Sequence, residues 1–337
     1  MGTLEYPFAM RALTEAVPGV GWAALFADKW PGYRRWFLDG PGPDRPELRT
    51  AVRMLARHMP ELMPTYLRLV ELAEGDDTAA RMLTLWDPPR FSPGCSQLAQ
   101  SAPDPMLCRN YDYSPHLFEG TVAATAYTGR RVLGTGDCLW GLIDGMNDAG
   151  LAVSLAFGGR PGSGRGFGVP LVLRYLLEVA TTTAEACAVL RRVPVSMSYN
   201  LTLIDATGRA QTAFVGPDEP PEFSDACAVG SATNHRGAVP EFPEQARALH
   251  SVERLQRLDA LAAAHPDPAA VVTAFLTRPL YNDGFSRAFG TLYTALYRPA
   301  LGYVDYCWPG HGWRRTFDAA DAVYPVVWRE EERLHVR

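Results

Sequence analysis

The residues best suited to chemistry in this chain are Gly94-Cys95-Ser96, answered fourteen positions after the thiol by Arg109-Asn110-Tyr111-Asp112. A cysteine becomes an effective nucleophile once it has a base, an influence that lowers its pKa and donors for the oxyanion it creates. An arginine provides positive field and a carboxylate can orient a proton carrier. Histidine is the usual base, yet none of the seven histidines stands in a recognisable cysteine-protease context. Cutting the chain before Cys95 would place a base on the nucleophile's own residue, because a free α-amino group titrates at about 7.7 to 8.0. Cys95 is therefore read as a residue that becomes an N-terminus, and the Gly94-Cys95 bond as the one that is cut.

Other chemistries find little support. Cys108, Cys138, Cys187, Cys227 and Cys307 are scattered without paired spacing, so they read as small core hydrophobes rather than a disulfide framework or a zinc site. No His-Glu-x-x-His and no close Cys or His pair suggests a metal, and no cofactor motif is present. The glycine-rich run at 158–166 lacks the Gly-Lys-Ser/Thr ending of a phosphate loop and reads as a mobile loop near the site. A net charge of -5 without charge blocks argues against nucleic acid and membrane surfaces as partners. Neither a signal-like N-terminus nor a long apolar run is visible, so a soluble, cytoplasmic protein is expected.

The elements that must carry these residues change character near Cys95. Residues 13–37 and 46–85 hold apolar side chains at helical spacing, joined by the loop Gly40-Pro41-Gly42-Pro43, and the first ninety or so residues read as helical. The proline-rich segment 87–94 can neither continue a helix nor pair as a central strand, so it is expected to offer the Gly94-Cys95 bond in an exposed or strained loop. Strands follow at 121–127, 131–133, 139–144 and 151–157, the last two around the turn Asn147-Asp148-Ala149-Gly150. Helices are expected at 171–180 and from Thr182, whose Thr-x-x-Glu spacing with Glu185 suggests a capping box, to Arg192. A hairpin at 200–204 and 210–215 precedes a helix capped by Ser251, another opened by Asp267-Pro268, and a closing hairpin at 290–297 and 302–308. Hairpins interleaved with helix pairs suggest two sheets stacked between helices.

The C-terminal two-thirds of the chain resembles the N-terminal nucleophile (Ntn) hydrolases of the choloylglycine hydrolase and penicillin acyltransferase group, closest to the penicillin acyltransferase type. The matching stretches occur in the family's order: Gly94-Cys95-Ser96, Arg109 to Asp112, Asp144-Gly145-Met146-Asn147-Asp148-Ala149-Gly150-Leu151, Gly168-Val169-Pro170, Asn200 to Asp205 with Gly208, Thr233-Asn234-His235, Ser251 with Arg254, and Thr291-Leu292-Tyr293. The resemblance implies an α+β, four-layer αββα fold, with residues 1–94 as a helical propeptide or α subunit and residues 95–337 as the catalytic β subunit. It implies that Cys95 attacks the Gly94 carbonyl, then uses its freed amine to shuttle protons while its sulfur attacks an acyl substrate. It further implies that Asp112 holds that amine, Arg109 keeps the thiol electron-rich, Asn234 donates to the oxyanion and Arg254 braces the site. Where relatives carry an asparagine or tyrosine, this chain has Ala156-Phe157-Gly158-Gly159, so the second oxyanion donor would be a backbone N–H near Phe157.

Tyr111, Trp140 and His235 are candidate pocket residues, though aromatic side chains serve a core equally well. The activity implied is a cysteine amidohydrolase or acyltransferase for linear, non-peptide amides, with a small acyl amide or acyl thioester as substrate. Hydrolysis and transfer to an amine stay open, as does assembly into a homo-oligomer. Two other readings stand beside this one: an uncleaved binding or scaffold protein, and a cysteine enzyme that works without cleavage using a histidine base.

Overall fold

The computed structural model describes residues 3–40, 44–90, 94–225 and 229–331. Parts of the Gly40 loop and of the proline-rich segment, together with Cys227, lie outside these. Two sheets dominate. One runs from β2 (Gly94–Gln100) and β3 (Met106–Tyr113) through β11 (Val229–Ala232), β12 (Gly290–Arg298), β13 (Tyr303–Trp308) and β14 (His311–Thr316), in the spatial order β11-β2-β3-β12-β13-β14. The other is nine-stranded. It contains the antiparallel succession β4 (Thr121–Thr125), β5 (Val132–Asp137), β6 (Gly141–Asn147), β7 (Ala152–Phe157), β8 (Tyr199–Ile204) and β9 (Ala210–Val215), flanked by β10 (Glu222–Phe223) on one side and by β1 (Thr3–Glu15) and β15 (Ala322–Glu331) on the other.

The sheets face each other through β2 and β3 over β7 and β8. Strands β2, β4, β5, β6, β7 and β8 are buried at every position, which is the burial expected when both faces of a sheet are covered. Outside the larger sheet lie α5 (Val169–Val179) and α6 (Thr183–Leu190); outside the smaller lie α8 (Ser251–Ala263) and α9 (Pro268–Phe275). Helix, sheet, sheet, helix is the four-layer αββα arrangement expected from the sequence. Local signals account for several of these elements. Helix α5 has Pro170 in its first turn, and almost all of its side chains are buried against β6. Thr182 caps α6 by accepting from Glu185 N, while the Glu185 carboxylate reaches back to Thr181 N at 2.7 Å, a box displaced by one residue. Asp267 caps α9 with Pro268 following, as read.

Three expectations change. Residues 3–15 are not helical: β1 pairs antiparallel with β15 from Thr3 to Ala12 and parallel with β4 from Arg11 to Glu15. Its leucines, alanines and methionine favour helices in isolation, but pairing on both sides outweighs that weak preference. Pro7 falls where only β15 is a neighbour, so its missing N–H costs no ladder bond towards β4. The hairpin at the end is not the close of the fold, since β14 and β15 follow it. The Gly94-Cys95 bond is not in an exposed loop: both residues are buried at the start of β2, and Gly94 is paired opposite Asp112.

The helices α1 (Val20–Asp39), α2 (Leu48–His58), α3 (Met63–Leu72) and α4 (Asp77–Leu83) agree with the helical reading of 13–37 and 46–85 beyond β1. They are fastened to the sheets by buried polar contacts. Trp22 of α1 donates through Nε1 to Leu139 O at 3.0 Å, and Trp140 Nε1 donates to Leu83 O at 2.8 Å at the end of α4. Trp22 is fully buried and stacks on Phe26. Trp22→Ala is expected to cost about 3–5 kcal/mol, the range for emptying a buried aromatic site, and to lower the urea midpoint without changing the slope of the transition.

Candidate active site

Strand β2 ends its proline-rich approach at Gly94, and a Cβ there would press to 3.0 Å from the Phe289 ring and 3.2 Å from Asp112 Cβ, so the glycine fits a tight passage. Pairing then sets which way each residue looks. Cys95 lies opposite Tyr111, and Gln97 opposite Arg109, so these four side chains share the face turned to the larger sheet. Gly94, Ser96 and Asp112 share the opposite face, towards α8. One sheet thus offers its sulfur to the layer between the sheets and holds the backbone of the same residue from the other side.

On the inner face Arg109 Nη2 donates to Cys95 Sγ at 2.9 Å and to Leu155 O at 3.1 Å. Its other arm, Nη1, donates to Asp144 Oδ2 at 2.6 Å and to the Tyr293 hydroxyl at 3.1 Å. The guanidinium lies over the Tyr111 ring at 4.8 Å, and all of these groups are fully buried. Burial works against the Arg109 charge, but Tyr293, Cys95 and Asp144 outweigh it and hold the side chain protonated well above its ordinary range. Burial pushes the Cys95 thiol up to about 11, with Arg109 the main opposing influence. In the uncut chain the sulfur is therefore a thiol at neutral pH, hydrogen-bonded by a cation.

On the outer face Arg254 of α8 gathers the backbone. Nη1 donates to Cys95 O at 2.8 Å, Ser96 Oγ at 3.0 Å and Asp112 Oδ2 at 3.2 Å, while Nη2 donates to Asn234 Oδ1 at 2.6 Å. Asn234 Oδ1 also accepts from Cys95 N at 3.1 Å, and its Nδ2 donates to Phe157 O at 2.9 Å. Thr291 Oγ1 donates to Asp112 Oδ1 at 2.7 Å. Burial raises the Asp112 carboxyl, with Arg254 and the Thr291 hydrogen bond pulling the other way. Asp112 and Arg254 also line a cavity of about 490 Å³ beside α8, which Arg278, Tyr281, Arg287 and Phe289 help to form.

Cys95, Arg109, Asp112, Asn234, Arg254 and Phe157 are thus brought together, and Tyr111 lies directly across from the thiol. Details differ from the expectation. Phe157 meets Asn234 through its carbonyl, so the backbone group offered there is an acceptor rather than the anticipated N–H. Asp112 reaches the Cys95 backbone only through Arg254. His235 Nδ1 lies 2.6 Å from Ser251 Oγ, which accepts from Asn234 N at 2.8 Å, so this histidine buttresses Asn234. Ser251 does not cap α8, because its hydroxyl is engaged with Thr233, Asn234 and His235 and the capping position is His250. Trp140 makes its hydrogen bond to α4, as a core anchor. Among the glycine-rich residues, Gly159 has φ of +78° and packs against the Asn234 carbonyl too closely for any Cβ, while Gly166 N donates to Asp87 Oδ1 at 2.8 Å, so the run is pinned at both ends.

Sequence reasoning quoted Asp144 and Tyr293 inside motifs without giving them a role, and did not single out Tyr297. The register explains why Thr291 and Tyr293, two apart, serve opposite faces: a bulge between them turns Thr291 to Asp112 and Tyr293 to Arg109. A strict alternation count would put both on one face.

A second group of buried acids sits where α1 meets the larger sheet. The Tyr33 hydroxyl lies 2.7 Å from both Glu119 Oε2 and Asp137 Oδ1, beside a cavity of about 200 Å³ lined also by Lys29, Trp36, Tyr113 and His116. One hydroxyl proton cannot serve two carboxylates, so one carboxyl carries a proton. Burial, with Glu119 adding to it, pushes Asp137 up to about 7. The native state therefore binds more protons than the unfolded chain between the ordinary carboxylate range and pH 7, and stability falls as pH rises through that window. Asp137→Asn is expected to flatten this slope between pH 5 and pH 8 in urea titrations; an unchanged slope would contradict the shared proton.

Residues 100–313, well over half of the chain, match the family described as acyl-coenzyme A:6-aminopenicillanic acid acyl-transferase. No curated protein matches the sequence. Among solved structures, the Caenorhabditis elegans N-acylethanolamine-hydrolyzing acid amidase ortholog is similar at 16% identity and TM-score 0.47, covering 61% of this chain and 93% of its own. A conjugated bile acid hydrolase variant from Clostridium perfringens gives 14% identity and TM-score 0.46 over 68% and 96%. Penicillin V acylase from Agrobacterium tumefaciens gives 15% and 0.40 over 63% and 82%. Likenesses this distant carry no argument about chemistry. The family match does: this chain belongs to the acyl-coenzyme A:6-aminopenicillanic acid acyl-transferase family and is an enzyme of the hydrolase and acyltransferase kind.

Proposed function

We propose that the chain is an autoproteolytically activated N-terminal cysteine amidohydrolase or acyltransferase, acting on linear, non-peptide amides through a thioester at Cys95. The observation that carries this reading is the Arg109 Nη2 hydrogen bond to Cys95 Sγ, within a site that also holds the backbone N and O of the same residue. An ordinary buried cysteine has no use for either.

In activation, Sγ attacks the Gly94 carbonyl carbon, the C–N bond to Cys95 breaks and the thiol proton goes to the departing amine. Water then hydrolyses the Gly94 thioester, leaving a carboxylate at Gly94 and a free thiol beside a free α-amine. In turnover, the sulfur attacks the substrate's acyl carbon, the α-amine carries the thiol proton to the leaving amine, and water or an acceptor amine takes the acyl group. Asn234 is the side-chain amide seated against the Cys95 backbone, its Oδ1 accepting from Cys95 N, and its Nδ2 is the donor we assign to the oxyanion. Asn234 Oδ1 and Asp112, bridged by Arg254, are the acceptors available to a new ammonium at Cys95.

The histidine-base alternative draws no support, since His235 is engaged with Ser251. Pieces 1–94 and 95–337 would stay associated, because β1 belongs to the nine-stranded sheet and pairs with β15 and β4. We take the substrate to be a small acyl amide or acyl thioester and the setting to be the cytoplasm. Among the described residues no helix is long and apolar enough to cross a membrane.

Intact-protein mass spectrometry with a panel of N-acyl amides and acyl thioesters tests the reading. Two pieces separated between Gly94 and Cys95 are expected, with acyl adducts on the second, and Cys95→Ala should yield one full-length chain without turnover. An uncut wild-type chain that turns over the panel would overturn the activation step; turnover surviving Cys95→Ala would overturn the whole.

A further inference from the structure

Arg109 has to do two things at once while fully buried, and the group that arranges this is a carboxylate with no role assigned so far. Asp144, on β6 of the larger sheet, reaches across the layer between the sheets. Its Oδ2 accepts from Arg109 Nη1 at 2.6 Å and from the Tyr293 hydroxyl at 2.5 Å. Its Oδ1 accepts from the Tyr297 hydroxyl at 2.5 Å and from Thr135 N at 3.3 Å. The Tyr297 hydroxyl lies 3.3 Å from that of Tyr306, which lies 3.1 Å from Thr135 Oγ1, so the network returns to the larger sheet. Every member is buried.

Resting on the hydrolase reading above, we propose that Asp144, clamped by the Tyr293 and Tyr297 hydroxyls, is the positioning residue for the nucleophile: it fixes the Arg109 guanidinium so that one arm is held by the carboxylate and the other is presented to the sulfur. A guanidinium is a rigid planar fork, so fixing Nη1 at one edge fixes where Nη2 points. The two tyrosines make the carboxylate itself immobile, since each oxygen already has a short, charge-assisted donor of its own. Tyr293 acts twice, accepting from Arg109 Nη1 while donating to Asp144 and lying under the guanidinium at 5.7 Å. The clamp belongs to the catalytic part of the chain alone, so it is present before and after any cut at Gly94.

Two roles for such a carboxylate predict opposite signs. As a counter-charge only, Asp144 offsets the field of Arg109 at the sulfur, so neutralising it would make the thiol more acidic and faster to react. As a positioner, its loss lets Arg109 swing away from the sulfur, and the thiol becomes less acidic and slower.

The test is alkylation by iodoacetamide near pH 8, mapped by mass spectrometry, with the buried Cys108 in the same molecule as the control for opening of the fold. For Asp144→Asn, the ratio of Cys95 to Cys108 labelling is expected to fall about tenfold, the equivalent of one pH unit in thiol acidity. Tyr297→Phe, which keeps the carboxylate and removes one clamp, should give a smaller fall, and it serves alone should Asp144→Asn not fold. Asp144→Glu should recover part of the loss. A rise in the ratio would assign Asp144 to charge balance, and an unchanged ratio with faster labelling at both cysteines would reduce it to general stability; either overturns the proposal. The readout needs neither cleavage nor turnover. A lowered ratio in a protein that neither cuts itself nor consumes amides would sink the hydrolase reading and leave the positioning role standing.

Discussion

A guanidinium buried between a carboxylate and a sulfur is the interaction on which the remainder of this structure depends. Removing a cation from water costs several kcal/mol even after relaxation, and the site has to return that through pairing and hydrogen bonds of good geometry. Arg109 is provided for on both arms by Asp144, Tyr293, Leu155 O and Cys95, with an aromatic face beneath. Because its partners come from both sheets, the sheets cannot slide or rotate relative to one another without stranding a charge. The constraint that shapes the reactive centre is therefore also one that fixes how the two sheets are stacked.

A second arginine performs the complementary task on the other side of β2. Arg254 does not approach the sulfur; it collects Cys95 O, Ser96 Oγ, Asp112 and Asn234 around one guanidinium. The two cations divide the cysteine between them, the side chain to Arg109 and the main chain to Arg254. Such a division suits the proposed activation, in which the backbone and the side chain of one residue both react. Burial keeps the thiol protonated in the intact chain. The carboxylates and the histidine nearby are already occupied with Arg254, Thr291 and Ser251. A base made by opening the chain would sit beside Asn234 Oδ1, which now accepts from Cys95 N.

The N-terminal segment is more than a cover. Its strand β1 extends the larger sheet, and its helix α1 sends Trp22 and Tyr33 into that sheet, Tyr33 ending between the Glu119 and Asp137 carboxyls. These attachments lie in its first forty residues, and the Trp140 hydrogen bond to Leu83 O adds one near its other end. They would hold it in place whether or not it remained covalently joined to Cys95.

What the sequence by itself determined was which residues form the nucleus of the candidate site and the order of most of its elements. Gly94, Cys95, Arg109 and Asp112 sit close enough along the chain for adjacent antiparallel strands to bring them together, and Asp267-Pro268 and Thr182 to Glu185 carry their helix starts in local chemistry. Only the tertiary structure decided that Asp144, Tyr293 and Tyr297 converge on Arg109, that β1 is a strand, that the Gly94-Cys95 bond is buried, and that Ser251 supports Asn234 rather than capping a helix. Asp144 and Tyr293 stand 35 and 184 residues from Arg109, and a bulge reverses the face that Tyr293 would otherwise share with Thr291. Periodicity reports which residues lie on one face of an element. Which faces meet, and at what register, is fixed by pairing between distant segments and by the need to leave no buried charge without a partner.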